Sequence, residues 1–345
     1  MTTAIVILNW NGEKYLQQFL PVLIENTNIK GVDIIVADNA STDASLQVLK
    51  KNFPTIRTIV LDKNYGFAGG YNKALEQVEA DYFVLLNSDV EVTVNWLQPM
   101  LEYLNTHKEV AACQPKIRSY YQQTSFEHAG AAGGYIDRYG FPFCRGRMLG
   151  YAEEDKGQYD TITDIFWATG ACLLIRSEVY RKVGGLDDDF FAHMEEIDLC
   201  WRMKSRGYRI VCVPESVVYH VGGGALGYES PYKTYLNFRN NLVMLYKNLP
   251  VELLDKTIKL RFIFDCVAAL QLFISGKPKN ASGVFKARRD FKKMLPDFVT
   301  KRKENMLNST NDMTTSIFQK SIILEYYLKG KKTFSELMKA REPLT

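Results

Sequence analysis

A chain of 345 residues, 46% hydrophobic and 24% charged, has the make-up of an ordinary folded protein, with room for one large domain and an appendage. Its net charge of +4 is too small to indicate nucleic acid, but the charge is unevenly spread. From Val251 to Thr345 there are 19 Lys and Arg against 10 Asp and Glu, so the tail carries +9 and the first 250 residues −5, a balance that fits contact with anionic lipid or a phosphorylated partner.

Met1-Thr2-Thr3 leads straight into the apolar run Ala4–Leu8, without a basic n-region or a small-residue cleavage site, and is read as carrying no signal peptide. The six cysteines form no CxxC pair and no zinc-like cluster with His, and read as reduced, mostly buried thiols of a cytosolic protein. No apolar run reaches the roughly 18 residues that a bilayer span needs.

Four short apolar runs, Ala4–Leu8, Asp33–Ala37, Thr58–Leu61 and Tyr82–Leu86, read as strands. Helical patterns lie between them at Lys14–Glu25 and Ser45–Lys51, the second preceded by an N-cap signal in Ser41–Ser45. Strands alternating with helices predict parallel βαβ units, hence an α/β fold with a mostly parallel sheet covered on both faces. Such sheets bind ligands outside the carboxyl ends of their strands, so the residues just after each run carry the functional information.

Those residues are Asn9-Trp10-Asn11-Gly12, Asp38-Asn39-Ala40-Ser41-Thr42-Asp43, Asn64-Tyr65-Gly66-Phe67-Ala68-Gly69-Gly70-Tyr71-Asn72 and Asn87-Ser88-Asp89. Four polar or acidic strand ends predict one shared crevice. Asp89 is a hard oxygen donor of the kind Mg²⁺ or Mn²⁺ prefers, and such an ion neutralises a departing diphosphate. On its own the tripeptide is a weak signal and reads more readily as a strand-ending turn.

From about Gly130 to Gly157 the composition shifts to Gly, Tyr, Arg and Phe without periodicity, which reads as a long loop or a hairpin insertion beside the site. Strands resume at Cys172–Ile175 and Ile210–Val213, and beyond about Tyr232 the pattern is helical to the end.

Taken in order, these four strand-end motifs strongly resemble the inverting family 2 glycosyltransferases of the GT-A nucleotide-sugar-binding fold, in particular the rhamnosyltransferase-like branch that builds bacterial surface polysaccharides. The resemblance continues through Trp167-Ala168-Thr169-Gly170-Ala171, Gly184-Gly185-Leu186-Asp187, Phe190–Arg202 and Tyr219-His220, and so covers about residues 3 to 250. It implies a catalytic domain over residues 1–230, with a donor-binding half to about residue 110 and an acceptor half to 230, and a helical region over 231–345.

Carried over by position, Asp38 would bond the pyrimidine base of a UDP- or dTDP-sugar, with Asn9 and Asn11 lining its pocket. Asn64, Gly66 and Asn72 would lie along the diphosphate-sugar, the glycines permitting close approach. Asn87, Ser88 and Asp89 match the acidic donor motif, in which the family often has two aspartates. Asp89 is then the main metal ligand, and His220 matches a histidine that completes the metal site in some relatives.

An inverting transfer also needs a carboxylate to take the acceptor hydroxyl's proton. Family position assigns this to Glu196 within Met194–Leu199, where relatives carry Asp, so Glu195 and Asp198 stay open as alternates. On a helix Glu195, Asp198 and Arg202 share a face, and Asp198 with Arg202 reads equally as a supporting ion pair. By the same resemblance Trp167, Thr169 and Gly170 would border the acceptor, a growing lipid-linked glycan. Trp167 reads equally as a core residue.

In the tail, Arg261–Ser275 is strongly apolar and is followed by Lys277, Lys279, Lys286, Arg288, Arg289, Lys292 and Lys293. A helix lying on the cytoplasmic face of the inner membrane has this pattern, and so does a helix packed on the body of the protein or on a second subunit, which leaves monomer and homodimer both open. Two rival enzyme classes fit less well. A nucleotidyltransferase usually carries an early Gly-rich loop with Arg and Lys, whereas residues 8–20 offer only Gly12 and Lys14. A dehydrogenase lacks its GxGxxG after the first strand. A non-catalytic nucleotide- or glycan-binding homologue is disfavoured by Asp89 and Glu196.

Overall fold

The computed structural model describes residues 1–127, 130–222, 230–311 and 316–339. The first half alternates strand and helix: β1 (Thr3–Asn9), α1 (Glu13–Asn26), β2 (Val32–Asp38), α2 (Ser45–Asn52), β3 (Arg57–Val60), α3 (Gly66–Leu75), β4 (Tyr82–Asn87), β5 (Val90–Val92), α4 (Gln98–Thr106) and β6 (Val110–Ser119). The middle adds four short strands, β7 (Gly134–Ile136), β8 (Pro142–Cys144), β9 (Arg147–Met148) and β10 (Tyr151–Ala152). Then come β11 (Thr163–Asp164), β12 (Cys172–Arg176), α5 (Ser177–Lys182), α6 (Glu195–Ser205) and β13 (Arg209–His220). Five helices follow: α7 (Pro231–Asn248), α8 (Val251–Ile274), α9 (Pro278–Leu307), α10 (Ile322–Tyr327) and α11 (Phe334–Met338).

The main sheet runs in the order β11-β13-β6-β12-β4-β1-β2-β3, with β5 paired to β13. Strands β1 to β4 are mutually parallel, as is β13 to β6, while β12 runs against both its neighbours. All four early strands stand where the apolar runs predict them. Residues 4–7 of β1 are buried, as expected of a strand covered on both faces. Chain order reverses at β1, between β2 and β4, so the crevice opens at Asn9, Asp38 and Asn87.

Local chemistry refines the expectation at three places. Helix α2 begins after Ala44 with no side-chain cap on its N-cap residue; instead Asp43 accepts from the amides of Ser45 (3.0 Å) and Glu13 (3.0 Å), tying two helix starts together. The Gly-rich segment is helical from Gly66, and two of its glycines are packed closely against protein. A Cβ on Gly70 would lie 2.9 Å from Leu8 and Asn39, and one on Gly66, whose φ is +72°, 2.5 Å from the Phe191 ring and carbonyl. The aperiodic insertion is a small antiparallel sheet in the order β10-β9-β8-β7, short enough that no period could show.

The C-terminal helices do not stand apart. Leu242, Val243, Met244 and Leu245 of α7, Phe291 and Phe298 of α9, and Phe318 and Phe334 beyond belong to the same buried cluster as Phe83, Trp201 and Ile210. Five of the six cysteines are buried and all are free thiols.

Candidate active site

The donor side is built from the ends of β1 and β2. Asn9 donates from Nδ2 to Asp38 Oδ2 (2.9 Å) and to Ser41 Oγ (3.1 Å), and the Ser41 amide donates to Asp38 Oδ1 (2.9 Å). Asn11, in the left-handed region at φ 52°, accepts through Oδ1 from the Thr42 amide (2.7 Å) and donates its own amide to Ser41 Oγ (2.9 Å). Asp38 is fully buried and held in one orientation, while Asn9 Oδ1 has no partner and faces the space beside Gly12 and Ser88. Asn39 joins this corner to α3: its amide donates to Asn64 Oδ1 (3.1 Å) and to Gly66 O (2.9 Å) and accepts from the Tyr65 amide (3.0 Å).

Asn72 goes elsewhere. Its side chain donates to Leu186 O (2.7 Å) and Asp188 and accepts from the Tyr180 hydroxyl (2.6 Å), so it fastens α3 to the loop after α5.

Asn87 and Ser88 sit at the end of β4, the Asn87 amide donating to Ala171 O (3.0 Å). Asp89 follows and is buried, with Oδ1 3.2 Å from His220 Nε2 at the end of β13. The ring's Nδ1 lies 3.1 Å from Glu127 Oε2. Burial alone would lower the His220 pKa, but the two carboxylates outweigh it and raise it to about 10. Nε2 forms no hydrogen bond of good geometry, and a histidine anchored at Nδ1 by a carboxylate with Nε2 turned toward another is how metal-ligating imidazoles are held. Asp89 and His220 are oxygen and nitrogen donors of the kind that could hold a divalent ion. Among the described residues no group of three or more His, Cys, Asp or Glu is arranged to hold a metal ion.

The candidate base residues stand at the start of α6. Phe191, His193 and Met194 all have positive φ, an unusual run for residues with side chains. Their loop is held from α7, where Asn240 Nδ2 donates to Phe190 O (2.9 Å), Ala192 O (2.8 Å) and His193 O (2.8 Å). The Phe191 carbonyl accepts from the Phe67 amide (2.6 Å), so this loop also caps α3. Burial lowers the His193 pKa to about 4, keeping the ring neutral.

Glu196 lies beside Gly170, where an added Cβ would approach both Glu196 and the Phe67 ring. Burial pushes its carboxyl up to about 7, and its Oε2 has no partner. Glu195 is raised farther, by burial and then by Glu196, and its Oε2 is also unpartnered. Asp198 is different. It faces α7, pairing with Arg202 (2.8 Å) and Lys247 (2.8 Å) and accepting from Asn248 (2.8 Å), which keeps its pKa low against the effect of burial.

Thr169 and Gly170 border Glu196 through the turn before β12, the Thr169 amide donating to Gln114 Oε1 (3.0 Å). Trp167 is a core residue, its indole packed on Gly134 and its N–H donated to Tyr135 O (2.9 Å). Glu127 was missed because it follows no strand signal and reaches His220 only through the fold. Asn240 and Lys247 were missed as well, because α7 also carries Lys233, Thr234, Asn237 and Arg239 and polarity alone singles out neither.

A model of the family described as glycosyl transferase family 2 matches residues 4–184, just over half of the chain. The chain belongs to this family. The N-acetylglucosaminyl-diphospho-decaprenol L-rhamnosyltransferase of Mycobacterium tuberculosis is 26% identical over 231 residues, covering 63% of this chain and 75% of that protein. The rhamnosyltransferase WbbL of Escherichia coli is 25% identical over 63% of this chain and 82% of its own. Among solved structures, residues 1–349 of S. aureus TarS in complex with UDP-GlcNAc superpose with a TM-score of 0.54 at 16% identity, over 89% of each chain. GalNAc-T7 with UDP, GalNAc and Mn²⁺ gives 0.57 at 15% identity, over 72% of this chain and 48% of that one. The fold is GT-A.

Proposed function

We propose that the protein is a metal-dependent, inverting glycosyltransferase that moves a sugar, rhamnose being the leading candidate, from a UDP- or dTDP-sugar to a hydroxyl of a lipid-linked glycan of the bacterial surface. The observation that carries this reading is the pairing of two unlike carboxylates at one crevice. Asp89 is turned to an imidazole, as a metal ligand is, while Glu196 is half-buried, has one carboxylate oxygen without a partner and a pKa raised to about 7, as a general base has. The names of the two rhamnosyltransferases support the sugar, that of the M. tuberculosis protein supports the lipid-diphosphate acceptor, and Mn²⁺ in GalNAc-T7 supports the metal.

In this scheme Asn9, Asn11 and Asp38 receive the base, and Asn64, Gly66, Asn87 and Ser88 border the diphosphate-sugar. Asp89 and His220 would hold Mg²⁺ or Mn²⁺, which when bound neutralises charge on the departing diphosphate. Glu196 takes the proton of the acceptor hydroxyl as its oxygen attacks the anomeric carbon. The bond from that carbon to the diphosphate breaks on the opposite face, and the nucleoside diphosphate leaves with the bonding pair. Thr169 and Gly170 leave room for the acceptor beside Glu196. Peripheral attachment to the cytoplasmic face of the inner membrane follows from a lipid-linked acceptor.

Calorimetry with UDP, dTDP and GDP, with and without Mn²⁺, tests the reading. Metal-dependent binding of one pyrimidine diphosphate is the expected result, and failure to bind any of the three would turn the assignment toward a non-catalytic homologue.

A further inference from the structure

Helix α8 is built the wrong way round for a helix in water. Its most buried positions recur every fourth residue, Thr257, Arg261, Asp265 and Ala269, and three of these four are polar. The stripe is tied down: Arg261 pairs with Asp265 (3.3 Å), donates to Tyr139 O (2.9 Å) and to Asn241 of α7, and Asp265 also pairs with Arg288 of α9. The opposite face carries Phe262, Ile263, Val267, Leu270, Phe273 and Ile274, each between 49% and 75% exposed. From residue 260 to 276 the only charged side chains are Arg261 and Asp265, both buried. An uncharged apolar face of this length on an ordinary globular surface marks a contact.

We propose that this face of α8, with the basic residues of α9, is the surface by which the protein docks on an anionic lipid bilayer. Charge selects the occupant. From Lys277 to Lys293 there are seven Lys and Arg and a single acidic residue, Asp290. Lys277 and Lys279 directly follow the apolar face, and the Arg288 guanidinium lies over the exposed Phe262 ring, 5.0 Å from its centre. A second copy meeting the same face about a two-fold axis would bring like-charged arrays together, whereas lipid phosphates complement them. Phe262 to Ile274 extends only about 18 Å at the helical rise, too short to cross a hydrocarbon core, so the helix lies in the plane of the interface. Among the described residues no helix is long and apolar enough to span. The inference deepens the lipid-linked acceptor reading and rests on it only for its biological sense.

The test uses the full chain and phosphatidylcholine vesicles with or without about 30 mol% phosphatidylglycerol, scored by flotation. The protein should float with the anionic vesicles, and less so as salt rises. Val267→Gln/Phe273→Gln should weaken binding at least about tenfold with an unchanged melting temperature, both side chains being exposed. Lys292→Glu/Lys293→Glu should weaken it by at least about twentyfold on anionic vesicles only. No flotation of the parent protein, or equal flotation of parent and variants, overturns the proposal. So does a concentration-dependent dimer that the apolar variant dissolves without any vesicle binding, which would assign the face to a second copy. UDP and dTDP binding measured alongside separates the two readings: vesicle binding without binding of either nucleotide would sink the donor assignment alone, and the reverse would sink the docking surface alone.

Discussion

Lys247 Nζ, on α7, lies 2.8 Å from Asp198 Oδ2, on α6, with the two side chains only 2% and 0% exposed. The same ammonium pairs with Asp187, which Lys301 of α9 also reaches (2.6 Å). Through these pairs the C-terminal helices clamp the helix that carries Glu196. The acidic residue two places along is thereby removed from the catalytic shortlist, because a carboxylate matched to two cations holds its proton too weakly to act as a base near neutral pH.

Lys247→Met leaves Asp198 with Arg202 and Asp187 with Lys301, each short of one buried partner. A loss of about 3 kcal/mol is expected, the usual effect of breaking a buried pair from one side. Urea unfolding measures it, and a loss below about 1 kcal/mol would show that the remaining cations suffice.

The pH dependence of transfer should follow Glu196. A general base works as the carboxylate, so kcat/KM should rise with pH and level off above an inflection near 7. Stability should move the other way. Because burial raises this carboxyl from 4.5 to about 7, the native state holds more protons than the unfolded chain between those values, and its stability falls as pH rises through that window. Glu196→Gln should lower transfer by about 100-fold or more, leave UDP binding intact and flatten that decline. Full activity in this variant would hand the role to Glu195.

Asp89→Ala should abolish the gain in UDP affinity that Mn²⁺ confers while leaving metal-free binding nearly unchanged. His220→Ala should reduce the same gain. If either variant keeps the metal dependence of the parent, that residue is no ligand.

Asn240 touches neither proposed substrate, yet its amide spans three carbonyls of the loop before α6. Asn240→Ala should lower kcat about tenfold through a displaced Glu196, with UDP affinity and the inflection near 7 both kept. A shift of the inflection instead would mean that the burial of Glu196, not its position, had changed.

Much of the donor half was legible in the residues. Runs such as Ala4–Leu8 are apolar because both faces of the strand are covered, and covered strands alternating with helices leave few topologies. Short polar residues after each run marked the crevice, and Asn9, Asn11, Asp38 and Asp89 do gather there. At Gly66, Gly69 and Gly70 a missing Cβ signals close approach without saying to what, and the protein neighbours there are Phe191, Tyr65 and Leu8.

By itself the sequence determined the α/β alternation, the crevice at the strand ends and the identity of the chemically able groups, since these follow from local periodicity and side-chain type. Only the tertiary structure decided which of those groups are free. Three carboxylates lie within four residues at the start of α6, alike in chemistry, and nothing local distinguishes them. Lys247, about fifty positions away, pairs with Asp198, while burial without a counter-charge leaves Glu196 poised near neutrality. Ion pairing and desolvation depend on distance in space, and that is set by the packing of α7 on α6 and not by any spacing along the chain.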